Sequence, residues 1–229
     1  HRMANNLQFQ ANYTWSHALD YGQNNSTFTS TNSVLNPLSV RDDYGNAIEN
    51  VPNRFIVTAI ASSPWKAHGW TSYLLNDYEL APSFAVQNGV PYSAGLSTNT
   101  TNLVDPGYAS GYATGVSTSY NGTDGLVRVP GIQRDAFRQP DTSVLDMRGA
   151  KRFTVHEGYQ FEFMVESFNL LNHQNVTSVN TTAYTMSTVN GVNTLSGNAA
   201  NGVFGAKTNS NNNNIYTPRQ IQLGLRLHF

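Results

Sequence analysis

Cysteine is absent from the 229 residues, which excludes a disulfide framework and any thiolate metal site. Charge is scarce: 12% of residues are charged and the formal net charge is −1. That balance lacks the basic excess of a nucleic-acid-binding domain, so no nucleic-acid partner is expected. It also offers no polybasic segment for an anionic membrane surface. Long apolar runs are missing too. A typical one, Phe55-Ile-Val-Thr-Ala-Ile-Ala61, has the length of a strand, whereas a membrane helix needs about 20 apolar residues in a row. The chain opens at His1 with no visible signal peptide, which suits a processed protein or a segment of a longer one.

Catalytic signatures are missing as well. There is no Gly-x-Ser-x-Gly elbow, phosphate loop, dinucleotide fingerprint or His-Glu-x-x-His pair, so neither an enzyme nor a cofactor is expected. Asp42-Asp43-Tyr-Gly-Asn46 and Asn121-Gly-Thr-Asp-Gly125 have oxygen ligands of the kind calcium takes, but not the spacing of a calcium loop. Both read as turns. His156-Glu157 also falls in an expected turn, and no metal site is expected. The Tyr-bearing near-repeat from Gly107 to Gly115 fits a surface loop, solvated or in contact with sugars or peptides.

What the chain does have is alternation with a period of two, in six segments. Leu7 to Leu19 is the clearest: Leu7, Phe9, Ala11, Tyr13 and Trp15 oppose Gln8, Gln10, Asn12, Thr14 and Ser16. Arg54 to Trp65, Tyr78 to Val90, Thr142 to Phe153 and Tyr159 to Leu170 follow. The last strand sets Ile221, Leu223, Leu225, Leu227 and Phe229 against Gln220, Gln222, Gly224, Arg226 and His228. An apolar face opposite one bearing Arg, His and Gln fits a strand between lipid and a watery lumen. Pro82 lies inside the third strand and predicts a bulge, because proline cannot donate to a ladder.

The connections alternate in length. Thr154 to Gly158 is a short turn and Lys66 to Asp77 a moderate one, whereas Asp20–Asn53, Pro91–Asp141 and Leu171–Thr217 are long and polar. Short turns at one end and long loops at the other are the pattern of an outer-membrane barrel. With Thr154–Gly158 in the periplasm, the parity of the strands brings Phe229 to the periplasmic side. Trp65, Trp70, Tyr73, Tyr78, Phe153, Tyr159 and Phe229 then form a periplasmic aromatic girdle, and Tyr13, Trp15 and Tyr92 an extracellular one. The expected fold is an all-β, antiparallel, up-and-down transmembrane barrel. It is present as an incomplete curved sheet of about six strands with three long extracellular loops.

On the lumen face Asp146, Arg148 and Arg152 stand opposite Glu162 and Glu166. They are candidates to line the lumen and touch a plug or passing ligand, or to serve only as a cross-strand charge ladder. A glycosidase-like reading of the two glutamates is weaker, because barrel interiors are routinely charged.

Several phrases then occur together in order. They are Tyr13-Thr-Trp-Ser-His-Ala-Leu-Asp20, Pro52-Asn-Arg-Phe55, Leu75-Asn-Asp-Tyr78, Gln87-Asn-Gly-Val-Pro-Tyr92 and Arg152-Phe153. Glu166-Ser-Phe-Asn-Leu-Leu-Asn-His173, Val203-Phe-Gly205 and Pro218-Arg-Gln-Ile-Gln-Leu-Gly-Leu-Arg-Leu-His-Phe229 complete the set. Together they resemble the carboxy-terminal end of TonB-dependent outer-membrane receptors. They are most similar to the Oar-like group of Acidobacteria that carries a carboxypeptidase-regulatory-like domain.

The resemblance implies a barrel of about 22 strands closed by an amino-terminal plug, energised through TonB to import a large or scarce ligand that it does not name. Residues 1–229 would then be the carboxy-terminal part of that barrel, with plug and earlier strands absent. The implied partners are outer-membrane lipid, the missing plug and upstream strands, the barrel-assembly machinery, and TonB only through the plug. Leu223, Leu225, Leu227 and Phe229 would form the signal read during barrel assembly. The competing readings are a secreted carbohydrate-binding β-sandwich, which needs a second sheet over the apolar faces, and a small self-contained barrel.

Overall fold

The computed structural model describes residues 6–21, 40–98, 127–129, 131–156, 158–190, 192–197, 202–213 and 215–229. Six strands form the principal sheet: β1 (Leu7–Trp15), β2 (Asn53–Ser62), β3 (Tyr78–Gln87), β4 (Thr142–His156), β5 (Tyr159–Phe168) and β6 (Gln220–His228). Each pairs antiparallel with the next, so the order across the sheet is the order along the chain. β1 and β6 stand at its two edges. The all-β, up-and-down architecture agrees with the alternation in the sequence.

Register decides whether six separate alternations make one amphipathic wall, because a slip of one residue sends a strand's apolar side chains to the other face. Here the rows coincide. Leu7 lies opposite Ala61, Ala61 opposite Leu80, Leu80 opposite Gly149, Gly149 opposite Val165 and Val165 opposite Leu223. Phe163 and Leu225, which face each other on the same side, are 42% and 71% exposed. A soluble sandwich buries such a face, and among the described residues none covers this one.

Several boundaries differ from expectation. β1 ends at Trp15, and Leu19–Asp20 instead pairs with Gly45–Asn46 in a separate ribbon. β2, β3 and β5 end at Ser62, Gln87 and Phe168, short of the expected Trp65, Val90 and Leu170. β4 goes the other way, since Thr154, Val155 and His156 belong to the strand rather than to the turn. An irregularity between Thr154 and His156 absorbs the bend, and Gly158 takes φ 91°, a value open to glycine. Glu157 lies outside the described residues.

The bulge expected at Pro82 does not occur. Pro82 stays in register opposite Met147. The ladder to β2 lapses between Thr58↔Ser83 and Ala61↔Leu80, then resumes in the same register. The missing N–H thus costs local pairing on one side without inserting a residue.

The described parts of the long connections carry paired strands of their own. Pro91–Tyr92 pairs with Phe137–Arg138, and Val176–Val179 with Lys207–Ser210. Gly95–Thr98, Val127–Arg128, Thr182–Val189 and Val192–Gly197 form a four-stranded sheet. Within it Gly95–Thr98 runs parallel to Thr182–Val189, which joins two different connections. The buried apolar cluster sits here: Ala94, Leu96 and Val129, flanked by Ile132, Phe137, Ala183 and Phe204. Tyr92 belongs to this cluster and not to a membrane girdle. Its ring lies 5.8 Å from that of Phe137 and 5.7 Å from that of Phe204.

Candidate functional site

The polar face of the sheet gathers its charges on β4, β5 and β6. Arg152 lies opposite Glu162 and Glu162 opposite Arg226, so a carboxylate is flanked by guanidinium groups on both sides. Glu162 is only 2% exposed, covered by its partners. Arg152 Nε is 3.3 Å from Oε1, Arg226 Nη1 3.7 Å and His228 Nε2 3.3 Å from Oε2. Arg148 reaches Glu166 at 3.6 Å and Glu162 at 4.0 Å. Arg152 also reaches Glu79 on β3 at 3.6 Å. The arginines remain one-third to more than half exposed, so each pair contributes only about 0–1 kcal/mol.

Four of the five lumen-lining candidates, Arg148, Arg152, Glu162 and Glu166, therefore meet in one network. Asp146 does not join it. Its carboxylate accepts the N–H of Asn169 at 2.8 Å and fixes the turn that ends β5. Glu79, Arg226 and His228 complete the network without having been singled out. Arg226 and His228 share the even-numbered parity of Glu162 on the paired strands, which was the available signal.

Toward the long-loop end of the same face a recess of about 280 Å³ opens among Asp146, Phe168, Ile215, Thr217, Gln220 and Gln222. Asn169, with φ 49°, holds its edge. Its side chain accepts from the N–H of His173 at 2.9 Å and donates to the carbonyls of His173 and Thr217 at 3.0 Å each. This explains the Asn-Leu-Leu-Asn phrase: Asn169 and Asn172 both adopt the left-handed conformation that asparagine tolerates.

Beyond the recess, asparagines and arginines staple the connections together. Asn175 is fully buried, accepting from Ser143 N at 2.7 Å and donating to Ser143 O at 2.9 Å. Arg134 donates to the carbonyl of Asp43 at 2.8 Å and ion-pairs with Asp20, while Arg128 ion-pairs with Asp43. Asp43, in the oxygen-rich Asp42–Asn46 stretch, thus holds a guanidinium. Burial lowers the pKa of Arg134 from the usual guanidinium value, and neighbouring Asp135 opposes that shift. The stretches Gly107–Gly115 and Asn121–Gly125 lie outside the described residues.

One charged side chain interrupts the apolar face among the described strand residues. Lys151 lies opposite Tyr78 and Phe163. Its ammonium sits 4.4 Å from the centre of the Tyr78 ring and 5.2 Å from that of Phe153, and donates to the Asn76 carbonyl. A bare cation on a lipid-facing strand is costly at mid-depth and tolerated near the interface, and this one is placed at the short-turn end among aromatic rings. Trp65, Trp70, Tyr73, Tyr159 and Phe229 are exposed at that end, as a girdle requires, and Tyr13 and Trp15 are exposed at the other.

Comparison with known proteins agrees with this geometry. A family model described as an outer membrane beta barrel domain matches residues 1–222. No curated protein matches the chain. A wall with one bare apolar face, a charged opposite face and elaborated loops at one end is what that family requires, and the chain belongs to it, as a protein of the bacterial outer membrane.

Proposed function

We propose that residues 1–229 form the carboxy-terminal part of the barrel of a TonB-dependent receptor, and that the protein imports a large or scarce ligand with energy from the inner membrane. The observation that carries this reading is the charge network on β4–β6. Its arginines surround Glu162, each still partly open. A narrow barrel fills its interior with side chains from opposite walls, whereas a wide one encloses a water-filled channel or a separate plug. A half-exposed charged lining suits a plug docked on it. Among the described residues β1 and β6 are the outer strands of the sheet, a position that suits pairing with further strands. In this reading Leu223, Leu225, Leu227 and Phe229 face lipid and serve as the barrel-assembly signal, and TonB engages the plug rather than these strands.

The test is uptake by cells carrying the full-length protein, with and without a working TonB complex. Accumulation that disappears without TonB while surface binding persists supports the proposal. Accumulation that survives loss of TonB marks a passive channel and overturns it.

A further inference from the structure

We infer that the recess at the long-loop end of the polar face is a subsite for a neutral, polyhydroxylated ligand, that is, a segment of an oligosaccharide. The inference rests on the transport reading for its biological sense, but its physical basis is separate. Phe168 shares the parity of Glu162 and Glu166, so its ring stands on the polar face, where it is 38% exposed. An aromatic ring left open in an aqueous lining is a platform for an apolar surface. Around it, Gln220 and Gln222 present side-chain amides that find no hydrogen-bond partner among the described residues. Each amide both donates and accepts, which suits hydroxyl groups. Asp146 uses one carboxylate oxygen to hold Asn169, leaving the other for a hydroxyl donor.

Charge narrows the ligand class. Lysine and arginine are absent from the recess lining; the nearest arginine, Arg148, is shared by Glu166, which lies opposite Gln222, and Glu162, while Arg152 and Arg226 pair with Glu79 and Glu162 farther along the strands. An anionic ligand would meet Asp146 with Glu166 beside it, and the one cation close by, Arg148, is already shared between two carboxylates. A ring with alternating C–H and O–H surfaces matches an open phenyl group beside free amides, since the C–H face rests on Phe168 while the edge hydroxyls meet the glutamines. A cationic peptide would find one carboxylate in the recess lining, since the neighbouring Glu166 is paired with Arg148, and would leave the two amides unsatisfied.

The experiment is calorimetric titration of the purified full-length protein with maltohexaose, cellohexaose and xylohexaose, with tetragalacturonate and tetralysine as charged comparators. The expected result is binding of at least one neutral hexaose, weakened about tenfold by Phe168→Ala and held within about twofold by Phe168→Trp. Should Phe168→Ala fail the heat-dependent gel shift of a folded barrel, the double variant Gln220→Ala with Gln222→Ala decides, with a similar loss expected. Binding of no neutral hexaose, preference for either comparator, or full affinity in the variants overturns the proposal. Binding is measured without energy input. A sugar that binds but is not imported sinks the transport reading alone, and TonB-dependent import of a non-sugar that ignores Phe168 sinks the subsite alone.

Discussion

A methyl group on Gly45 would stand 2.2 Å from the carbonyl oxygen of Arg134, and a parallel bridge joins the two residues. They come from different long connections, so this contact makes the connections one body. Gly45→Ala is expected to push them apart at a cost of about 1–3 kcal/mol. Hydrogen exchange at residues 45–50 and 134–138 should accelerate while β4 and β5 stay protected. Unchanged exchange at both loop segments would show that the contact carries no weight.

Tyr92 gives the same cluster a pH dependence. Burial raises its phenol pKa above the usual value, near 10 in an unfolded chain. A raised folded value means that stability is level below about pH 10 and falls as pH rises through the folded pKa. Tyr92→Phe should abolish that alkaline loss. A loop cluster melting with the same pH profile in both proteins would remove Tyr92 as the cause.

Glu162→Gln keeps the shape of the side chain and removes the charge that Arg148, Arg152 and Arg226 share. The expected loss is about 1–2 kcal/mol in urea unfolding of the full-length protein, kept small because the arginines are partly hydrated. Arg226→Gln added to it should restore part of the loss by relieving repulsion. Strict additivity of the two changes would mean that they do not interact.

How much of this was legible in the sequence follows from the range of the interactions. Alternation is local, so the lipid-facing rows from Leu7 to Phe229 and the even-numbered charges could be read before any partner was known. Strand ends were less legible, because Ala-His-Gly and Asn-Gly stretches near them carry no periodicity. The staples were hidden for another reason. Asn175 acts on Ser143 and Arg134 on Asp20, across sequence separations that no pattern marks. Tyr92 was misplaced because an aromatic ring beside a strand end looks the same whether it meets lipid or a folded loop. Pro82 was misjudged because a gap in one ladder can replace a bulge.

Leu225 faces Phe163 at the centre of the apolar face. Leu225→Arg should cost about 2–4 kcal/mol at mid-depth in the membrane. Phe229→Ala should instead lower the yield of assembled barrel with little change in the stability of what does assemble. Quantifying heat-modifiable barrel in membranes and unfolding the assembled fraction separates the two effects. Wild-type assembly of the Phe229→Ala protein would overturn the proposed signal role.

Lys151→Ala should release the 64–77 connection, because the ammonium joins the Asn76 carbonyl to the rings of Tyr78 and Phe153. The lost cation–π contact is worth about 0.5–2 kcal/mol. Faster proteolysis or exchange confined to residues 64–78 is expected, and an unaltered rate there would mean that Asn76 closes the connection by its bonds to Ala67 alone.

The apolar cluster around Leu96 lies in the connections, whereas the wall keeps its apolar side chains bare. The molecule is therefore organised for two solvents. Its cap condenses because water expels Leu96, Val129 and Phe137, and its wall becomes stable only where hydrocarbon replaces water. Extraction from the bilayer should loosen the wall and leave the cap intact, while urea added to an intact membrane should melt the cap first.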